Sequence, residues 1–190
     1  ENSGHVRVYR RLGDAWERLG EDIDGEASDD HSGSSVSLSA DGSVLAISAQ
    51  SNDGNGTSSG HVRVFRYETN TWVRVGDDID GENEGDNFGY STSLSADGSV
   101  LAVGGILNDG AGMWAGHVRV YQEQNGHWEK VGSDIDGEAS VDMSGWMVSL
   151  SADGKILAVG APRNDGNGAD SGHVRVYQLV GGEWQQLGPD

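Results

Sequence analysis

The heptapeptide "GHVRVYR" at residues 4–10 decides the fold, because the chain writes it four times. It returns as "GHVRVFR" from residue 60 and as "GHVRVYQ" from residues 116 and 172. The offset is 56 residues each time, with no insertion or deletion. Trp16, Trp72, Trp128 and Trp184 keep the same spacing, as do "DIDGE" from 22, 78 and 134, "LSADG" from 38, 94 and 150, and "NDG" from 52, 108 and 164. A fixed period of this length marks one supersecondary unit that recurs and stacks on its own copies.

Each unit reads as four strands. The first is "SSVSLS" (34–39), "YSTSLS" (90–95) or "WMVSLS" (146–151), with apolar and polar residues alternating. An Ala-Asp-Gly turn follows, and Asp-Gly between such runs signals a two-residue hairpin. The second strand, "VLAIS" (44–48), "VLAVG" (100–104) or "ILAVG" (156–160), is apolar on both faces, so both should be covered. The third is "HVRVY" and its copies. A short polar turn such as "QEQNGH" (122–127) leads to the fourth, for example "WERLG" (16–20). No helical periodicity occurs, and the fold class is all-β. The boundaries follow as a half-unit of strands three and four with its loop (1–33), units at 34–89 and 90–145, and a final unit at 146–190.

A sheet of this size cannot bury its own two faces, so each unit must stack on its neighbours. Four-stranded antiparallel sheets stacked radially make β-propeller blades, and stacked linearly they make a β array. The serines of the first strand favour the radial form, since that strand lines a crowded axis. The chain holds 3.5 units, and both ends carry strands three and four, with Asp190 opening a further acidic motif. Such ends are not complementary halves, and the expectation is a window on a longer chain or an assembly of stacked open faces.

The unit resembles the FG-GAP repeat of integrin-type propellers. "NFGYSTSLSADGSVLAVGG" (87–105) carries the Phe-Gly, and "VGAP" (159–162) carries the Gly-Ala-Pro. The resemblance implies a propeller. In calcium-binding repeats of that family the metal loop joins the first two strands; here the connection is a tight Ala-Asp-Gly turn, so that site is not carried over.

Charge is lopsided, with 31 acidic and 12 basic side chains and a net charge of −19. That excludes the basic footprint that nucleic-acid binding requires. No apolar run is long enough for a transmembrane segment. There are no cysteines, so disulfide and thiolate chemistry are excluded. Alternating strand direction puts the 2–3 and 4–1 loops on one face, and twenty of the 31 acids fall there. Two readings compete for them. Asp22, Asp24 and Glu26, with copies Asp78, Asp80, Glu82 and Asp134, Asp136, Glu138, offer hard oxygen ligands for calcium around a permissive Gly. Alternatively, Asp, Asn and Gly simply make good turns.

In "HVRVY", Val6 and Val8 face one way and His5, Arg7 and Tyr9 the other. The pairs His5/Arg7, His61/Arg63, His117/Arg119 and His173/Arg175 therefore read as an inter-unit ladder, with guanidinium forks meeting the DIDGE acids. The four tryptophans cap the outer strand or, as an alternative, offer stacking platforms for a glycan between units. Trp114, Trp146, Met113, Met143 and Met147 depart from the repeat and mark a private surface, and Asn55-Gly56-Thr57 is a glycosylation sequon.

Ser, His and Asp recur in every unit, whereas catalysis needs one asymmetric constellation. The expectation is therefore a non-enzymatic, extracellular or cell-surface structural and adhesive module, part of a longer or self-assembling fibrous protein. Its partners are other copies of itself or the rest of the chain. The runner-up is a propeller binding a glycan or surface protein, and third stands a propeller-fold enzyme.

Overall fold

The computed structural model describes residues 2–189; Asp190, read above as opening a further acidic motif, lies outside them. Every regular element is a strand, and among the described residues no helix is long and apolar enough to cross a membrane. In the first unit, β1 (His5–Val6) and β2 (Tyr9–Leu12) are halves of one strand broken at Arg7 and Val8. β2 pairs β3 (Ala15–Arg18), and β1 pairs β4 (Ile23–Asp24), both antiparallel. The second unit orders β5 (Val36–Leu38), β6 (Val44–Ala49), β7 (His61–Glu68) and β8 (Thr71–Arg74), with β9 (Ile79–Asp80) also on β7. The third repeats this as β10 (Phe88–Leu94), β11 (Val100–Gly105), β12 (His117–Gln124), β13 (His127–Lys130) and β14 (Ile135–Asp136). The fourth is β15 (Met147–Leu150), β16 (Ile156–Ala161), β17 (His173–Val180) and β18 (Glu183–Gln186).

The acidic motif thus holds a short strand that the sequence reading took for loop. Ile79 and Ile135 drive it: each is buried, and each lies opposite the Val of the His-Val-Arg motif. Turn chemistry also differs from expectation. The serine Ser39 bonds through its N–H to the Val44 carbonyl, so residues 40–43 form a four-residue loop. Gly42 takes φ +71° while Asp41 stays out of the left-handed region, which excludes a type I′ turn. Asp41 instead accepts bonds from the Ser43 amide and the Ser39 and Ser43 hydroxyls, at 2.7–2.9 Å. The two-residue left-handed turn occurs between strands three and four, where Asn125 and Gly126 have φ of 54° and 85°.

The core lies between the sheets. Val8, Leu45, Ile47 and Phe65 fill the first junction. Val62, Val64, Phe88, Leu94, Leu101 and Val103 fill the second. Val118, Val120, Ile135, Val148, Leu157 and Val159 fill the third. Each junction is also bonded. The Trp72, Trp128 and Trp184 indoles donate to the Leu19, Val75 and Val131 carbonyls at 2.8, 3.1 and 3.1 Å. Near the inner strand, Leu94 and Leu150 donate their amides to the Ser37 and Ser93 hydroxyls. Ala40 and Ala96 donate theirs to the carbonyls of Ala96 and Ala152. Trp16 of the first unit is 68% exposed.

One repeat position separates buried from open blade faces. A Cβ on Gly104 would sit 2.1 Å from the Gly145 carbonyl oxygen, whereas one on Gly160 meets nothing closer than 3.7 Å. Gly104→Ala is therefore expected to cost about 2 kcal/mol or more, and Gly160→Ala to stay within about 0.5 kcal/mol of the parent, in urea unfolding followed by circular dichroism.

Candidate functional site

The junctions also gather the polar chemistry. At the second and third units, Glu26, His61 and Asp78, and then Glu82, His117 and Asp134, each bring one ligand-capable atom within 4.8 Å of the others. The Glu belongs to one unit's DIDGE motif; the His and Asp belong to the next unit. An arginine stands in each group. Arg119 forks onto Asp134 at 2.8 and 3.1 Å and also pairs with Glu82, while Lys130 reaches Asp134 at 2.7 Å. Arg63 pairs with Glu26 at 3.1 Å and donates to the Asp24 carbonyl at 3.4 Å, and Arg74 holds Asp78 at 2.9 Å. In the last unit Arg175 and His173 lie 3.6 and 3.8 Å from Glu138, and Arg175 bonds the Asp136 carbonyl at 3.3 Å. In the first unit Arg7 bonds its own unit's Asp22 at 2.8 Å, where Arg18 joins it, and His5 is exposed.

The three acids of a DIDGE motif therefore go to three places. The first is held by arginine or lysine of its own unit, the second lies in a short strand, and the third crosses the junction. The motif does not gather its own carboxylates into one oxygen cage. Instead it spreads them along the seam, where guanidinium groups supply the counter-charge. The sequence reading grouped each motif with itself. Its period gave no way to see that Glu82 would meet Asp134 rather than Asp78.

Burial sets the protonation states. His61 and His117 are pushed below their usual range by desolvation and then by the neighbouring Arg63 and Arg119. Burial opposes ionisation of Asp134, but bonds from Arg119 and Lys130 outweigh it and hold the group at about 2. Asp80 has no such cation, and burial raises it. Burial also raises Tyr121, to about 12. The His117 Nε2 is buried without a hydrogen-bond partner. It lies close under Gly105, where an added Cβ would come within 2.9 Å of it.

Beside the clusters run two matching clefts. One, of about 260 Å³, is lined by Asp77, Asp78, Ile79, Asp80, Tyr121, His127 and Trp128. The other, of about 240 Å³, is lined by Glu21, Asp22, Ile23, Asp24, Arg63, Phe65, Thr71 and Trp72. Each sets the acidic segment of one unit against the tryptophan of the next. Of the residues that break the repeat, Trp146 packs against Tyr90 with ring centroids 4.8 Å apart and planes tilted by 51°, Met143 is buried, and Met113, Trp114 and Met147 are exposed. Asn55 of the sequon donates its amide to the Gly81 and Glu82 carbonyls at 2.8 and 3.1 Å.

Residues 134–177 match the family model described as the FG-GAP repeat. That segment is an FG-GAP repeat. Several solved structures share the fold. A Bacteroides uniformis protein assigned as a 6-phosphogluconolactonase is 16% identical, with a TM-score of 0.66 over 97% of this chain and 47% of that one. The periplasmic gluconolactonase of Pseudomonas aeruginosa is 18% identical, with a TM-score of 0.53 over 91% of this chain and 46% of that one. The β-propeller domain of the Trilobed protease from Pyrococcus furiosus, described as having an open velcro topology, is 12% identical, with a TM-score of 0.54 over 96% of this chain and 49% of that one. The chain is thus a stack of propeller-like blades that spans about half the length of those structures. No curated protein matches its sequence.

These neighbours correct the expectation of a non-enzymatic structural and adhesive module. The same blade stack carries proteins named as lactonases, so an even repeat does not set catalysis aside. The physical reason lies in the junction. It demands the same His, Arg and acid at every blade whether or not one of them also does chemistry, and the repeat masks any site built from them.

The histidines give a pH signature. Folded His61 and His117 resist protonation, whereas unfolded histidines bind protons below about 6.5. The unfolded state then holds more protons, so stability falls as the pH drops from that value. The urea midpoint should decline below about pH 6.5, and His117→Gln should flatten part of that decline.

Proposed function

We propose that the chain is a sector of a propeller-fold hydrolase acting on an uncharged sugar lactone bound in the clefts between blades. The observation that carries this is the pairing, in each cleft, of an aromatic wall with carboxylates. Trp128 and Tyr121 accompany Asp78 and Asp80, and Trp72 and Phe65 accompany Asp22 and Asp24. An aromatic face stacks on the C–H face of a sugar ring while carboxylates accept its hydroxyls. The names of the lactonases that share the fold support the reaction class.

Asp80 is the candidate general base. Burial raises its carboxyl, which brings the group closer to the range in which a base works at neutral pH. It would take a proton from water as the oxygen adds to the lactone carbonyl and return it to the ring oxygen as the ring C–O bond breaks; the hydroxy acid so formed then ionises and leaves as a carboxylate. Product release gains from the same charge: a carboxylate anion departs from an acidic face faster than a neutral sugar would. The net charge of −19 likewise disfavours a phosphorylated substrate, so an unphosphorylated lactone fits this chain better than a 6-phospho one.

A pH-stat assay tests the reading, with the spontaneous hydrolysis rate as baseline. The chain should accelerate opening of gluconolactone more than of 6-phosphogluconolactone. Asp80→Asn should lower the rate at least tenfold, and Trp128→Ala should raise KM with little change in kcat. A rate no faster than the baseline with either lactone would refute the proposal.

A further inference from the structure

The backbone beside each cleft tryptophan repeats closely from junction to junction. Trp72, Trp128 and Trp184 each donate the indole N–H to the carbonyl just before a glycine, at 2.8, 3.1 and 3.1 Å. Those glycines, Gly20, Gly76 and Gly132, take φ of 78°, 76° and 75°. A Cβ added to each would lie 2.8, 3.3 and 3.1 Å from the indole Cδ1. The next backbone N–H, that of Glu21, Asp77 or Ser133, is therefore carried in one orientation beside each tryptophan.

What meets that N–H differs. Between the third and fourth units the Ser133 amide donates to a Glu183 carboxylate oxygen at 3.0 Å. Glu183 immediately precedes Trp184, and Thr71 and His127 stand at its place in the two clefts. Neither of those side chains replaces the carboxylate: among the described residues, the Glu21 and Asp77 amides meet no protein acceptor. A peptide N–H left in that state keeps its capacity for an oxygen. The Glu183 carboxylate marks where such an oxygen sits.

Charge selects the kind of oxygen. Ser133, beside the carboxylate, is neutral, while Glu21 and Asp77 are acidic. With Asp24 in one cleft and Asp80 in the other, they repel an anion and leave the place to an uncharged acceptor. A lactone carbonyl is one, and its hydrogen bond strengthens as charge builds on the oxygen during hydrolysis. On the reading that the clefts hold an uncharged sugar lactone, on which this rests, we propose that the Glu21 and Asp77 amides receive the lactone carbonyl oxygen. The residue before each cleft tryptophan is the gate. Thr71 and His127 leave the amide open, and Glu183 occupies it from within the chain.

Two probes titrated into the 190-residue chain, followed by proton–nitrogen NMR, test this. Gluconolactam keeps the carbonyl and resists hydrolysis; anhydrosorbitol has the same ring without a carbonyl. The lactam should move the Glu21 and Asp77 amide protons downfield and leave that of Ser133 in place. Anhydrosorbitol should leave all three in place and bind about tenfold more weakly. His127→Glu should shift the Asp77 amide in the free chain and weaken lactam binding about tenfold at the Trp128 indole, with binding at the Trp72 indole unchanged. Glu183→Thr should make the Ser133 amide respond to the lactam. His127 and Glu183 are both exposed, so neither variant disturbs the core. An Asp77 amide unmoved at millimolar lactam, an equal response from Ser133 in the parent chain, or unchanged lactam binding by His127→Glu would each overturn the proposal. Lactam binding at Asp77 without faster lactone opening would sink the hydrolase alone, and faster opening with an unmoved Asp77 amide would sink this assignment alone.

Discussion

A four-stranded sheet whose second strand is apolar on both faces cannot be stable alone, and every other feature of this molecule answers that constraint. β6 is buried along its whole length because one unit covers each of its faces. The core is divided among the junctions instead of lying inside any one sheet. Burying an apolar side chain in this way is worth about 1.5–3 kcal/mol, so the junctions, more than the ladders within a blade, decide how firmly the blades hold together. The fixed repeat length follows. An insertion would displace the Trp indole from its carbonyl and the Arg from its acid at the same junction.

The polar seams carry a second consequence. A buried guanidinium such as that of Arg119 costs desolvation, and two carboxylates and good geometry offset it. Removing one partner leaves an uncompensated charge, so the seam tolerates substitution poorly even where it does no chemistry. That intolerance keeps the motif even from unit to unit. It also explains why repetition was a poor guide to whether the protein is an enzyme: the same residue types serve packing and charge balance at every junction, and a reacting group hidden among them leaves no separate trace.

Much of this was legible in the sequence. The alternation in "YSTSLS", the apolar run in "VLAVG" and the constant offset of "HVRVY" give four strands and a stack, because side-chain period and burial are read directly from residue order. The facing of Val6 and Val8 against His5, Arg7 and Tyr9 follows from the same period of two. The Asp-Gly turn was legible only in part. Asp41 gathers three hydrogen bonds from Ser39 and Ser43, and that local competition selects a four-residue loop over the two-residue form.

The sequence by itself determined the strand content of each unit and the order of its four main strands, since both depend on neighbours in the chain. Tertiary structure alone decided which acid meets which cation across a junction, and how Trp128 and Asp80 come to line one cleft. Those contacts join residues some forty to fifty positions apart, on surfaces that exist only after the sheets have formed. Local periodicity carries no information about them, because it fixes what a strand presents and not what will be pressed against it.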